Sequence, residues 1–191
     1  MATRKPVRLE GRTVTYELRD HTADVAVEAT APTLSALFAS VADGLTAASC
    51  ESIPADGGER FTLEETAENR EALLFDYLDR LIYERDVRLV LPADHECRVI
   101  PPGDVAGSAW RVEASARGVP LDAVSAREVK AVTYSEMTLE RREGDGGGGD
   151  DDGRGGDDDG RGGDDDGRDG SDDDSGDGDD GAWYAYVVFD V

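Results

Sequence analysis

Two short runs of alternating apolar and polar residues, 14–18 and 25–29, constrain the fold of this chain more than any other feature. A period of two is typical of half-buried β-strands, so each run is predicted to be a strand. The residues between the runs then form the turn or connection from one strand to the next. The segment between them is polar and reads Asp20-His21-Thr22-Ala23-Asp24. One interpretation is a plain turn in which Asp20 or Asp24 accepts hydrogen bonds from nearby backbone amides. The other is a binding site, because two carboxylates and an imidazole at such a joint are costly to bury and easily directed at a ligand.

Helical and strand-like patterns alternate along the rest of the chain. Thr33 opens one helix, in which apolar residues recur three and four apart up to residue 45. Thr66 or Asn69 caps a second helix that reaches about Arg85. Strands are predicted near residues 61–63, 87–91, 97–99, 110–116, 128–140 and 183–191. Residues 1–12 are expected to be a loose lead-in. The predicted fold class is α+β, a single compact domain in which a mostly antiparallel or mixed sheet packs with two main helices.

The second histidine and both cysteines are assigned structural roles. Residues 92–94 are predicted to form a turn, and His95 beside it is expected to be a solvent-exposed loop histidine and not a ligand. Cys50 and Cys97 match no metal-binding or redox spacing, so two buried thiols are expected.

A low-complexity stretch precedes the last strand. Residues 144–181 contain 17 Asp, 16 Gly and 3 Arg, and Asp-Asp-Asp-Gly-Arg recurs every seven residues from Asp150. Such a composition cannot offset the entropy of ordering, so a disordered acidic insert is predicted. Calcium binding is an alternative, but the β-roll repeat needs an apolar residue in each turn and an EF-hand needs a closing Glu with flanking helices. The predicted domain covers residues 1–191, with its core in 13–143 and 182–191.

The charge of the chain is strongly acidic, with a formal net value of −24, and 18 of its 20 basic residues are Arg. This Asp-rich, lysine-poor composition suggests a halophilic source, because a Debye length of about 3 Å at molar salt screens self-repulsion. A GC-rich genome would also favour Arg over Lys. Direct nucleic-acid binding is not expected, since no basic stripe is present. With no long apolar run and no signal peptide, the expected location is cytoplasmic and away from membranes.

The two strands that flank the acidic insert are predicted to form a hairpin, with the insert as its enlarged turn. The assumed register pairs Leu139 with Trp183, and Asp190 then lies opposite Val132. Lys130 becomes the diagonal neighbour of Asp190, about 7–8 Å away on the same face. The main-chain carboxylate of the last residue would end the strand at the same place. A shift of one residue would put Lys130 and Asp190 on opposite faces.

The sequence resembles the archease family, small activators of the RNA ligase RtcB, in three segments. These are residues 20–24 with their flanking strands, the segment Glu-Val-Lys-Ala-Val-Thr-Tyr at 128–134, and Val-Val-Phe-Asp-Val at 187–191. The likeness covers roughly residues 13–140 and 182–191. One departure is Ser135, which stands where archeases usually carry a histidine after the Thr-Tyr pair.

The resemblance implies a metal site. In archeases the aspartate of the first segment and the last aspartate of the chain bind a divalent cation. These correspond to Asp24 and Asp190, with the Val191 carboxylate as a further ligand. Oxygen ligands without thiol or imidazole suit Ca²⁺, Mg²⁺ or Mn²⁺ better than Zn²⁺. The conserved lysine of the family corresponds to Lys130.

The resemblance also implies an accessory function and not catalysis. An archease-like protein would activate RtcB, promoting its GTP-dependent guanylylation and multiple turnover in tRNA splicing, and would meet GTP only through the ligase. Lys130, with Asp20 and His21, would then face a phosphate or the ligase. Two other functions stay open. A metal-dependent phosphoesterase would turn over phosphoesters alone, whereas a chaperone or modulator of an RNA-modifying enzyme would help many clients without needing Asp190.

Overall fold

The computed structural model describes residues 3–9, 12–20, 24–103, 108–142 and 181–191, and for the first two ranges it describes the main chain only. The predicted disorder of the acidic insert, and the domain boundaries drawn around it, therefore concern residues outside these ranges. In chain order the elements are β1 (Thr3–Leu9), β2 (Arg12–Asp20), β3 (Asp24–Ala31), α1 (Leu34–Ser49), β4 (Glu59–Ala67), α2 (Arg70–Arg88), β5 (Val90–Ile100), β6 (Trp110–Pro120), a 3₁₀ turn (Leu121–Ala123), β7 (Ala131–Arg142) and β8 (Ala182–Asp190).

The described strands form two antiparallel sheets, which confirms the α+β class. The larger sheet has five strands in the order β1-β2-β3-β8-β7, and the smaller has three in the order β4-β6-β5. The prediction that residues 1–12 are a loose lead-in is wrong. β1 pairs along its whole length with β2, from Thr3 opposite Leu18 to Leu9 opposite Arg12. An edge strand can form from a largely polar stretch because the main-chain hydrogen bonds between strands do not depend on apolar side chains.

Side-chain caps start both helices. Thr33 Oγ1 accepts a hydrogen bond from the N–H of Ala36 at 3.2 Å. Asn69 Oδ1 accepts one from the N–H of Ala72 at 2.8 Å, which decides between the two predicted caps in favour of Asn69. Each cap satisfies a backbone donor that has no partner within its own helix.

The second helix is longer than its sequence pattern predicts. It continues past Arg85 to Arg88 and ends at Leu89, which adopts the left-handed conformation with φ 55° and ψ 42°. The strand predicted from residue 87 therefore begins at Val90, and residues 92–94 belong to that strand and not to a turn. No helix in the described part of the chain is long and apolar enough to cross a membrane.

The hydrophobic core lies where the helices meet both sheets. α1 contacts β3 and β5, while α2 contacts β4 and β7, so each helix touches both sheets. Phe38, Tyr77 and Phe189 are among the largest fully buried side chains. The rings of Phe38 and Tyr77 stack with their centroids 6.0 Å apart, which joins the two helices. One face of the five-stranded sheet therefore packs against the helices in the core.

Gly44 marks the closest approach of α1 to β3. A Cβ atom at this position would lie 2.4 Å from Cγ1 of Val27, a fully buried side chain with a stiff χ1. We expect Gly44→Ala to lower the free energy of unfolding by about 1–3 kcal/mol through overpacking, measured by denaturant titration. The control is Gly103→Ala, whose Cβ would meet nothing within 4 Å. Adding Val27→Ala should recover part of the loss, and unchanged stability of the single variant would contradict the packing argument.

Candidate functional site

Two aspartates face each other across neighbouring strands of the five-stranded sheet. Asp24 is the first residue of β3, Asp190 is the last of β8, and the register pairs them directly. Val25 and Phe189, their neighbours along the strands, are buried. Because side chains alternate along a strand, both carboxylates lie on the face away from the core. Both residues are only partly buried.

This pairing places like charges side by side. Directly opposed residues of an antiparallel pair have Cβ atoms about 4.5–5.5 Å apart, and like charges at that distance destabilise the sheet. A cation between the two carboxylates would turn the repulsion into attraction. On its other side Asp190 faces Ala131 of β7, whose small, exposed side chain leaves that flank open.

Lys130 lies at the same end of the sheet. Its backbone N–H donates a hydrogen bond to the main-chain oxygen of Asp190 at 2.8 Å. Its Nζ donates to the main-chain oxygen of Val191 at 3.3 Å, and the residue is exposed. The amine therefore stands at the end of β8, where it neutralises part of the oxygen-rich surface and keeps N–H groups available to an anion.

The predicted register of the hairpin is wrong, although its two strands do pair. Leu139 lies opposite Ala185 instead of Trp183, and Asp190 lies opposite Ala131 instead of Val132. The cause is a bulge between Thr133 and Thr138, where four residues of β7 face one residue of β8. A bulge adds residues to one strand only, so no single register describes the hairpin. Lys130 consequently meets Asp190 through the main chain and not as a same-face diagonal neighbour.

Of the other two predicted site residues in segment 20–24, the structure describes the main chain of one and does not describe the other. Asp20 ends β2 and pairs with Val25, one position away from Asp24 in the register. His21 lies outside the described residues. The role predicted for Asp20 and His21, facing a phosphate or the ligase, stays a prediction.

The donor set fits a hard cation. Among the described residues, no group of three or more His, Cys, Asp or Glu side chains could hold a metal ion. A cation here would therefore use the two carboxylates of Asp24 and Asp190, the main-chain oxygen of Val191 and water. All are oxygen donors, which suit Ca²⁺, Mg²⁺ or Mn²⁺. Few protein ligands and several waters are typical of Mg²⁺ in particular.

A second polar cluster lies inside the protein, and it shows that the prediction for His95 is wrong. His95 is buried, and its Nε2 lies 3.0 Å from Thr46 Oγ1 while its Nδ1 lies 3.4 Å from the Tyr77 hydroxyl. A one-residue bulge between Ala93 and Glu96 keeps the strand going where a turn is predicted. His95 thereby stays on the buried side of β5, against α1 and α2.

The hydrogen bonds of this cluster have one consistent direction. The thiol of Cys97 donates to the Tyr77 hydroxyl at 3.2 Å, and that hydroxyl can donate to Nδ1 of His95. Nε2–H of His95 then donates to Thr46 Oγ1, whose own hydroxyl donates to the main-chain oxygen of Pro92 at 2.7 Å. Every donor in the chain is used when the imidazole is neutral.

Burial shifts the titration of these groups. It lowers the pKa of His95 to about 4 and raises the pKa of the Cys97 thiol to about 12. It also raises the pKa of Asp43 to about 7, even though the backbone N–H of His95 donates to Asp43 Oδ1 at 3.4 Å and opposes the shift. Cys50 is buried and Cys97 is half-buried, and both thiols are free.

A sequence signal for this cluster does exist. Leu91, Ala93, His95, Cys97 and Val99 recur with a period of two, so the histidine shares a face with core residues. Pro92 and Asp94 within the same segment indicate a turn, and that local signal hides the longer pattern.

The comparisons with known proteins agree with the fold. The model of the Archease protein family (MTH1598/TM1083) matches residues 16–150, and the chain belongs to this family. It is similar to the protein archease of Thermococcus gammatolerans, with 30% identity over 129 residues that cover 66% of this chain and 88% of the relative.

Two solved structures are similar to the chain. The solution structure of protein 1598 of Methanobacterium thermoautotrophicum has 21% identity and a TM-score of 0.60, and the match covers 92% of this chain and 98% of that one. It supports the α+β fold. A crystal structure from Thermotoga maritima, named as an archease and possible chaperone, has 19% identity and a TM-score of 0.47, with coverage of 91% and 94%.

Proposed function

We propose that this protein is an accessory factor that activates the RNA-splicing ligase RtcB. It would promote the GTP-dependent guanylylation of the ligase and its multiple turnover in tRNA splicing, in the cytoplasm and without chemistry of its own. Membership of the archease family supports the choice of partner. The observation that carries the proposed mechanism is the direct pairing of Asp24 with Asp190, because two opposed carboxylates can share one divalent cation.

The residues at this end of the sheet have separate tasks. Asp24, Asp190 and the main-chain oxygen of Val191 would hold a divalent cation, which supplies charge neutralisation and orientation for phosphate oxygens. Lys130 holds its ammonium beside Val191 and can turn it toward a phosphate as a compact point charge. GTP would be contacted only while bound to the ligase. Direct binding to RNA is not part of the proposal, because the chain is strongly acidic.

The test adds the purified protein to its cognate RtcB at native salt and follows transfer of GMP from labelled GTP to the ligase. We expect faster guanylylation and more ligation cycles per ligase molecule, and no turnover of phosphoesters by the protein alone. Hydrolysis of phosphoesters in the absence of the ligase would favour a phosphoesterase. Equal help to unrelated client enzymes would favour a general chaperone. Absence of any effect on guanylylation would contradict the proposal.

A further inference from the structure

The exposed apolar side chains of this protein are concentrated on one helix. Among the described residues, four large hydrophobic side chains are exposed: Tyr83 at 53%, Val87 at 60%, Leu89 at 68% and Tyr134 at 52%. The first two lie on α2 and the third ends it. Tyr134 packs its ring edge-on against Phe75 of the same helix, with the centroids 5.4 Å apart. Exposed apolar side chains gathered toward the end of one helix indicate an interaction site.

Two exposed aspartates precede these residues along the same face of α2, and Arg80, which follows them, is already paired with Glu84 and Glu65. Asp76, Asp79, Tyr83 and Val87 are spaced three and four residues apart, so they form one line along the exposed face of α2. We call these four residues together with Leu89 the α2 strip. In the described part of the chain, neither Asp76 nor Asp79 forms an ion pair. Burial and the neighbouring charge of Asp79 raise the pKa of Asp76. Both facts indicate carboxylates that a positive charge would stabilise.

Leu89 gives independent support. Its left-handed backbone is a position that favours glycine or asparagine, and a leucine there is strained. Its side chain is also the most exposed of the large hydrophobic ones among the described residues. The fold therefore gains little from leucine at this position, whereas a partner that covers the side chain would gain apolar contact area.

A second copy of this chain does not fit the α2 strip. If the α2 helices of two copies packed in parallel, the carboxylates of one strip would face the carboxylates of the other. If they packed antiparallel, the carboxylates of one strip would face Val87 and Leu89 of the other. The arginines next to the strip are already engaged: Arg80 pairs with Glu84 and its guanidinium lies over the Tyr83 ring, Arg85 pairs with Asp86, and Arg88 pairs with Glu84. A partner surface with an apolar patch next to Arg or Lys side chains matches both halves of the strip.

We propose that the α2 strip is the surface by which this protein docks on its ligase partner, which would present apolar side chains flanked by basic ones. The identity of the partner rests on the proposed function; the chemistry of the surface does not. Docking through α2 leaves the Asp24–Asp190 end of the sheet as a separate site.

The test measures binding of the full-length protein to purified cognate RtcB by titration calorimetry. The double variant Tyr83→Ser, Val87→Ser should raise Kd by about tenfold or more, because it removes the apolar centre of the interface. Leu89→Gly should raise Kd while raising the thermal unfolding midpoint, since glycine relieves the left-handed strain. Asp76→Asn with Asp79→Asn should weaken binding and reduce its dependence on salt. The matched control is Glu64→Ser, an exposed change on the three-stranded sheet.

The outcomes separate this inference from the function. Asp190→Ala should bind the ligase normally yet fail to stimulate it. If the double variant binds and stimulates like the unmodified protein, the docking surface is wrong and the function stands. If the unmodified protein neither binds nor stimulates RtcB, both proposals fail. If sedimentation shows that the unmodified protein self-associates and the double variant does not, the strip is a self-association surface and the inference is overturned.

Discussion

Replacing Asp190 with alanine is expected to abolish the stimulation of ligase guanylylation while the protein stays folded. The residue ends β8 on the face away from the core, so its side chain contributes little to packing. Its loss leaves Asp24 as a single carboxylate, and one carboxylate holds a divalent cation far more weakly than two. The measurement is the rate of GMP transfer to RtcB at saturating activator, with far-ultraviolet circular dichroism as the check on folding.

Companion variants assign the effect to particular groups. Asp24→Ala should match Asp190→Ala. Lys130→Ala should also abolish stimulation. Because this variant keeps the backbone hydrogen bond from residue 130 to Asp190, its effect would report on the amine alone. Asp122→Ala removes an exposed carboxylate elsewhere and should change nothing. Full stimulation by Asp190→Ala would rule out the site.

Cation binding can be measured without the ligase. Ca²⁺, Mg²⁺ or Mn²⁺ at about 100 times its Kd should stabilise the folded protein by about 2.7 kcal/mol, because the cation binds only the folded state. Asp190→Ala should lose most of this stabilisation in thermal unfolding experiments. An equal shift in the variant would place the cation elsewhere in the chain.

Asp43→Asn is expected to stabilise the protein by about 4 kcal/mol at neutral pH and hardly at all below pH 4. Burial raises the folded-state pKa of Asp43 from 3.8 to about 7, so the folded protein holds a proton there that the unfolded chain releases. The free energy of unfolding therefore falls as the pH rises from about 4 to about 7, by about 1.4 kcal/mol per unit. Asparagine cannot ionise and removes this loss. Denaturant titrations of both proteins at several pH values give the difference directly.

His95→Gln should show the opposite trend. The pKa of His95 falls from 6.5 to about 4 on folding, so the stability that depends on its neutral form is lost as the pH falls through that interval. Relative to the unmodified protein, His95→Gln should therefore gain stability toward low pH and Asp43→Asn toward neutral pH. In the unmodified protein the two slopes oppose each other between about pH 4 and 6.5. Parallel pH curves for all three proteins would contradict the assigned shifts.

The helices and the strand faces could be read from the sequence because their signals are local. The sequence predicts Thr33 as the cap of the first helix and Thr66 or Asn69 as that of the second, and Thr33 and Asn69 are observed as caps. Alternation assigned Val25, Val27 and Ala29 to a single face of β3, and all three are buried. Resemblance to archeases implied that Asp24 and Asp190 share a cation and so lie close together, and the register pairs them although they lie 166 positions apart in the numbering.

The tertiary structure decided what depends on several elements at once. The bulge in β7 sets which residues face Asp190, and neither the period of the strand nor the length of the turn reveals where such residues are inserted. The burial of His95 depends on Thr46 and Tyr77, which belong to two different helices. Tyr83, Val87 and Leu89 are exposed because no other described segment packs over them, which depends on the tertiary structure. The sequence by itself determined periods, caps and faces, because these arise between neighbouring residues, whereas register and burial arise from packing between distant segments and only the folded structure decides them.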